Sequence, residues 1–246
     1  NGVQGLRCQD SGNICFGTEK DGQRYFVKFA GAPTEQFGGD PADAISRLKA
    51  TLPIYSDLKH ENLIELIEAK EIGDGFAMVF KWADSDCMGR MYPAAYRRFI
   101  QLPINDRLAV FSDILSFLEC VASRKYVAID FYDGSIMYDF ANGKTTICDI
   151  DLFHKQPCVN DMGRMWGSSR FQSPEEYQLG ADIDEITNVY TLGATAFALF
   201  GEYNRTREKW QLSDKLFEIA TRAVSDDRTK RQQSIRQFTA EWEAAQ

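Results

Sequence analysis

The hydrophobic period of this chain changes once along its length, and that change decides its fold class. Up to about residue 82 the apolar residues come in short runs broken by turn residues, the pattern of strands; from about Asn105 they recur at helical spacing. Leu108, Phe111, Leu115 and Leu118 form one row, and Val110, Ile114, Phe117 and Val121 form another beside it. A helix apolar over so wide an arc is expected to be buried. The pattern predicts an α+β chain in which a β-rich part precedes a mostly helical one.

In the first part, strands are expected at 13–19 and 24–30, joined by Lys20-Asp21-Gly22-Gln23, whose Asp-Gly step supplies the positive φ of a tight hairpin. Residues 31–41 hold three glycines and two prolines and read as a loop, and Asp40-Pro41 opens a helix that must end or kink near Pro53. Further strands are expected at 63–69 and 76–82 around Gly73-Asp74-Gly75. In the second part a hairpin pairs 136–140 with 145–148 around Asn142-Gly143, and helices follow at 184–200, 212–224 and 234–245.

Composition narrows the function. With 28 Lys+Arg against 36 Asp+Glu the 246-residue chain carries a net charge of −8, which speaks against a nucleic-acid partner, since neutralising phosphates needs a basic face. A hydrophobic share of 44% is that of a globular protein, and the length suits one large domain or two small lobes. Cys8, Cys15, Cys87, Cys120, Cys148 and Cys158 form no CxxC pair, and His60 and His154 are too few to complete a zinc spacing. Free thiols in a reducing, cytoplasmic setting are expected. The most apolar stretch, 189–200, is far short of the ~20 residues of a membrane span. The chain starts at Asn1 without a methionine, and trimming fits the thiol usage better than a removed signal peptide.

Chemistry concentrates around the second hairpin. Asp130 stands between the buried helix and the hairpin, and Asp149 ends the hairpin's second strand, so the two carboxylates are brought close at one end of it. Paired carboxylates serve general acid/base work or bind a divalent cation. Taken singly these residues have plainer readings. Lys28, among the aromatics of 24–29, reads as a snorkelling strand lysine, and Asp130, Asp149 and Ser135 as turn residues. Asp133 and Asp139 are read as turn and solvated residues, and Met88 and Met91 as core.

The order of these residues resembles that of the eukaryotic-like Ser/Thr protein kinase superfamily through nearly the whole chain. Val27-Lys28 is similar to the third-strand lysine motif, His60-Glu61-Asn62-Leu63 to the HxN stretch, and Ala128-Ile129-Asp130 to HRD, with Ser135 five residues on at the place of the metal-binding Asn. Asp149-Ile150-Asp151 resembles DFG, and Ser173-Pro174-Glu175 resembles APE, 26 residues after Asp149. The stretch 187–193 resembles the opening of the central helix, and Arg231 the late arginine that pairs with the APE glutamate.

The resemblance implies a single bilobal kinase-like domain over 1–246, a β-rich N-lobe at 1–82 and an α-helical C-lobe at 83–246. It implies an ATP- and Mg²⁺- or Mn²⁺-dependent transfer to Ser/Thr hydroxyls of a protein substrate. Lys28 would bind the α/β-phosphates, Asp149 and Ser135 the metal, and Asp130 the acceptor hydroxyl. Gly12 and Gly17 would let the turn of the glycine-bearing loop approach the phosphates. The backbone of Lys81, Trp82 and Ala83 would read the adenine, Asp86 would reach the ribose, and Glu175 and Arg231 would form a buried structural pair.

Departures from the family pattern matter equally. Thr51 stands where the helix glutamate that pairs with Lys28 is expected, and the nearest acid, Asp43, is about 12 Å further along a helix. Ala128-Ile129 replaces His-Arg, Tyr132 replaces a lysine, Ser135 the Asn, and Asp151 the Gly of DFG. These replacements keep two other readings open: a pseudokinase acting as a nucleotide-binding or scaffold module, and a small-molecule kinase of the aminoglycoside or choline type.

Overall fold

The computed structural model describes residues 5–6, 11–35, 37–89 and 91–246. Asn1, Cys8 and Asp10 lie outside the described residues. The chain divides into two compact units, Asn1–Asp84 and Ser85–Gln246.

The first unit is an antiparallel sheet with two helices. Its strands are β1 (Gly5–Leu6), β2 (Asn13–Lys20), β3 (Gln23–Ala30), β4 (Leu66–Ile72) and β5 (Gly75–Lys81), in spatial order β1-β2-β3-β5-β4. Asp21 and Gly22 form the two-residue β2–β3 turn with φ of 53° and 76°, the left-handed geometry that such a hairpin demands at both positions. This turn fixes the register that places Cys15, Lys28 and Met78 in one cross-strand row and Gly17, Phe26 and Phe80 in the next. Residues two apart share a face, so both rows lie on the same one.

Helices α1 (Pro41–Ala50) and α2 (Leu52–Asp57) cover that face. The Asp40 side chain accepts from the Ala42 amide at 2.9 Å and starts α1 as its sequence predicts. The break comes at Thr51 and not at Pro53, because proline fits the first turn of a new helix and Pro53 occupies that place in α2. Thr51 is buried, with its hydroxyl 3.3 Å from the Met78 sulfur, and the Tyr55 ring lies 5.1 Å from that of Phe80. β4 begins three residues later than expected: the Leu63 amide is bonded to the His60 carbonyl in a turn, and a bulge follows between Leu66 and Glu68.

The second unit mixes short strands with a helical core. β6 (Asp86–Cys87), β8 (Ile136–Asp139) and β9 (Lys144–Ile147) form a sheet in the order β6-β8-β9, β7 (Tyr126–Val127) pairs with β10 (His154–Lys155), and β11 (Cys158–Val159) pairs with β12 (Asp182–Ile183). The helices are α3 (Pro93–Phe99), α4 (Ile104–Ser123), α5 (Glu185–Phe200), α6 (Asp214–Ala223) and α7 (Ile235–Glu243). Both apolar rows of α4 are buried except Leu108. Arg107 beside it is buried instead, donating to the Leu199 carbonyl at 2.9 Å and to Gln211 Oε1 at 2.7 Å.

α5 is buried continuously from Thr187 to Phe200. It tolerates Thr195 there because the hydroxyl returns to the Thr191 carbonyl at 2.8 Å. Phe111, Phe238 and Trp242 close the core where α4 meets α7, with the Phe111 and Trp242 rings 4.7 Å apart. Met88 is core as expected, whereas Met91 is 84% exposed at the entrance to α3, a helix that periodicity did not reveal. Among the described residues no helix is long and apolar enough to cross a membrane.

Candidate functional site

Lys28 is half-buried on the helix-covered face of the first unit, in register with Cys15 and Met78 and flanked by Phe26 and Ala30. A half-buried lysine on this face gives up part of its hydration. The Thr51 hydroxyl, at the junction of α1 and α2, sits against Met78, the register partner of Lys28. Asp43 is exposed.

The expectation that Gly17 lies in a phosphate-facing turn is corrected. The hairpin register puts it in mid-β2 opposite Phe26, and a Cβ there would come within 2.8 Å of the Trp82 ring. Gly17 makes room for an indole. The Arg24 guanidinium lies 5.1 Å above the same ring, and Asp84 accepts from the indole N–H at 3.1 Å and pairs with Arg24. Gly17→Ala is expected to displace Trp82, shifting its fluorescence to longer wavelength and costing about 1–2 kcal/mol of stability. A Trp82→Phe background should abolish that shift.

Gly12 has φ of 80°, and a Cβ there would press on Phe37 at 2.8 Å and Ala44 at 2.9 Å, so it too is held by packing. The Lys81 amide is taken by the Glu65 carbonyl at 2.9 Å, which leaves the segment through Trp82 and Ala83 to offer other backbone groups. The Lys81 side chain is exposed beside Glu65.

In the second unit, Asp130 and Asp149 share a backbone conformation that side chains seldom take, each with φ of 58°. Aspartate tolerates this region better than most residues, but such strain persists only where surrounding structure imposes it, and it gathers at functional sites. Their segments are tied together: the amide of Cys148 donates to the carbonyl of Ser135 at 2.9 Å, which puts Asp149 one residue from a backbone bond to Ser135. Ser135 is completely buried, and its hydroxyl has no protein partner. Asp149 is exposed while Ile150 after it is buried, so the strained turn anchors one residue and presents the other.

Tyr132 folds over Gly134, where a Cβ would meet its ring at 2.4 Å. Burial pushes the phenol up from its ordinary pKa, and Asp130 and Asp149 push it further. Burial also raises the Cys87 thiol against the opposing Gly89 amide, with Asp133 and Asp149 adding to the rise. Cys87, Tyr132 and the aspartates thus form one acidic neighbourhood. Asp86 is exposed on β6 and lies 3.8 Å from Arg98.

Three supports of this neighbourhood carry signals that periodicity does not convey. Asn188 of α5 clamps both backbone groups of Ala128, accepting from its amide at 2.8 Å and donating to its carbonyl at 3.0 Å, two residues before Asp130. Asp133, read from sequence as a turn residue, is 2% exposed and receives both arms of Arg170, at 2.8 and 3.0 Å, together with the Tyr203 hydroxyl. Glu175 and Arg231 meet as a buried two-armed pair at 2.7 and 2.9 Å, with Thr187 donating to Glu175 at 3.1 Å. Burial works against the Glu175 charge, yet the Arg231 guanidinium holds its carboxyl below the usual range.

Among the described residues no three His, Cys, Asp or Glu side chains gather as a metal set. The Asp149 carboxylate and the Ser135 hydroxyl are two oxygen donors carried by the tied segments beside the hairpin. That donor chemistry fits Mg²⁺ or Mn²⁺, hard cations that use one or two protein oxygens together with water and phosphate. No protein-family model matches the chain, and no curated protein matches it.

Proposed function

We propose that the chain is a kinase-like phosphotransferase of bilobal architecture, acting on Ser/Thr hydroxyls of a protein with ATP and Mg²⁺ or Mn²⁺. The observation that carries this reading is the pair of strained aspartates, Asp130 and Asp149, with their segments tied at Ser135. The reading assigns Lys28 to the α/β-phosphates, Asp149 and Ser135 to the cation, and Asp130 to the acceptor hydroxyl, whose proton it orients or accepts. The cation, when bound, neutralises phosphate charge. Asn188 and Gly134 act on position only: one fixes the chain before Asp130, the other leaves space for Tyr132 beside it.

A second reading, a nucleotide-binding scaffold without transfer, draws on Thr51, whose hydroxyl sits against Met78 where the resemblance expects a glutamate. Calorimetry of ATP binding with and without Mg²⁺, paired with a labelled-phosphate transfer assay, separates the two. Asp149→Ala is expected to remove metal-dependent affinity, whereas Asp130→Ala should retain binding and lower transfer by about 10²–10⁴-fold. Ser135→Asn should lower the Mg²⁺ concentration needed, because an amide oxygen is the better-placed ligand. Binding without transfer in the wild type favours the scaffold. A wild type that binds no nucleotide, matched by all three variants, ends the phosphotransferase reading.

A further inference from the structure

Asp130 and Glu176, a residue only 4% exposed, line one small pocket. Gln172, Ser168 and Thr191 supply the remaining polar lining. Each side is held in place. Glu176 Oε2 accepts from the Ser173 amide at 2.7 Å and from its hydroxyl at 2.9 Å. Gln172 donates to the carbonyls of Met165 and Trp166 at 2.9 and 3.2 Å and accepts from the Tyr177 hydroxyl at 2.8 Å. Gly167 packs beside both, since a Cβ there would lie 3.3 Å from Asp130 Oδ1 and 3.2 Å from Gln172 Nε2.

Two carboxylic residues that line one small pocket, one of them 4% exposed, are not independent, because a second negative charge beside a buried group is poorly screened. We propose that Glu176 is a positioning residue for Asp130, its neutral acid packing beside it in the shared pocket and its ionised form pushing Asp130 out of place. The coupling stands on the cavity. Its effect on transfer rests on the phosphotransferase reading.

The surroundings agree with a neutral Glu176. Burial, with Glu175 and Asp130 adding to it, raises its pKa to about 7 against the two Ser173 bonds that favour the anion. Of these neighbours Glu175 is matched by Arg231 and Asp130 lines the same pocket, while α5 and the 163–172 segment contribute the uncharged Thr191 and Gln172. Because the folded-state value lies above the ordinary glutamate value, the linked stability is complete below the latter and is lost as pH rises through about 7.

A melting-temperature cycle over wild type, Glu176→Gln, Asp130→Asn and the double variant, from about pH 5 to about pH 9, tests the coupling without any activity. The wild type is expected to lose stability from about pH 5 to about pH 7 and to level off above it, Glu176→Gln to remove at least half of that loss, and Asp130→Asn to reduce it as well. The double variant should add little to either single change. A pH slope unaltered by Glu176→Gln, or a Glu176 contribution unaltered in the Asp130→Asn background, overturns the proposal. Should Glu176→Gln fail to fold, the slope of Asp130→Asn alone decides it. The transfer rate of the wild type should fall by up to about tenfold per pH unit above neutrality, and that of Glu176→Gln should not. Coupling in the melting curves with no transfer in any form supports the positioning proposal and counts against the phosphotransferase reading alone.

Discussion

Arg231→Ala is expected to lower the melting temperature by about 6–20 °C, the equivalent of about 3–5 kcal/mol in a chain of this size. The side chain does more than pair with Glu175. Its Nε donates to the Ser225 carbonyl at 2.7 Å and its Nη1 reaches the Ile186 carbonyl, so one guanidinium joins the end of the 163–177 segment to the start of α5 and the turn after α6. Removal leaves the Glu175 carboxylate buried without a cation, held by neutral donors such as the Thr187 hydroxyl. That uncompensated charge, more than the lost attraction, sets the size of the effect. Lysine at 231 should recover part of the loss, because it restores a charge and not the fork. An unchanged melting temperature would refute the arrangement.

The Asp133 cluster predicts an asymmetry between its partners. Arg170→Ala is expected to cost about 3 kcal/mol and Asp133→Ala about 2 kcal/mol, although both remove the same ion pair. The Asp133 side chain is 3% exposed and the Arg170 side chain 26%, so the arginine can return to water when its partner is lost and the aspartate cannot. Tyr203 narrows the contrast without reversing it. It is held at φ of 64°, a costly conformation for an aromatic residue, while its hydroxyl reaches Asp133, so the carboxylate also stabilises a strained turn. Denaturant melts of the two single variants and the double variant measure the coupling. Equal losses would mean that the aspartate is better hydrated than its burial indicates.

Particular residues show where the sequence was readable. The Asp21-Gly22 turn and the apolar rows of α4 are local signals: one follows from φ preferences and the other from a 3.6-residue period, and neither needs a distant partner. Asp40 likewise announces α1 through a cap made two residues away. Gly17 was misread because an isolated glycine does not tell which neighbour needs its missing side chain, and the neighbour is Trp82, 65 residues on. Asp133 was misread for the same reason, since Arg170 and Tyr203 lie 37 and 70 residues away. Glu176 carries no sequence signal beyond its Ser173 partner, because its environment is made by the chain around Asp130. Charge and period are written locally, whereas the partner that turns a turn residue into a buried anchor is supplied by the tertiary fold.

The clamp of Asn188 on Ala128 has a kinetic consequence. Both backbone groups of Ala128 are satisfied by the side chain of Asn188, a residue 1% exposed in the first turn of α5, so the chain before Asp130 cannot fray on its own. Separating them leaves a buried amide and a buried carbonyl without partners unless α5 also moves. Opening of this loop therefore belongs to the cooperative unfolding of the helical core, and the amide of Ala128 exchanges its hydrogen on the slow timescale of that core and not on that of a surface loop.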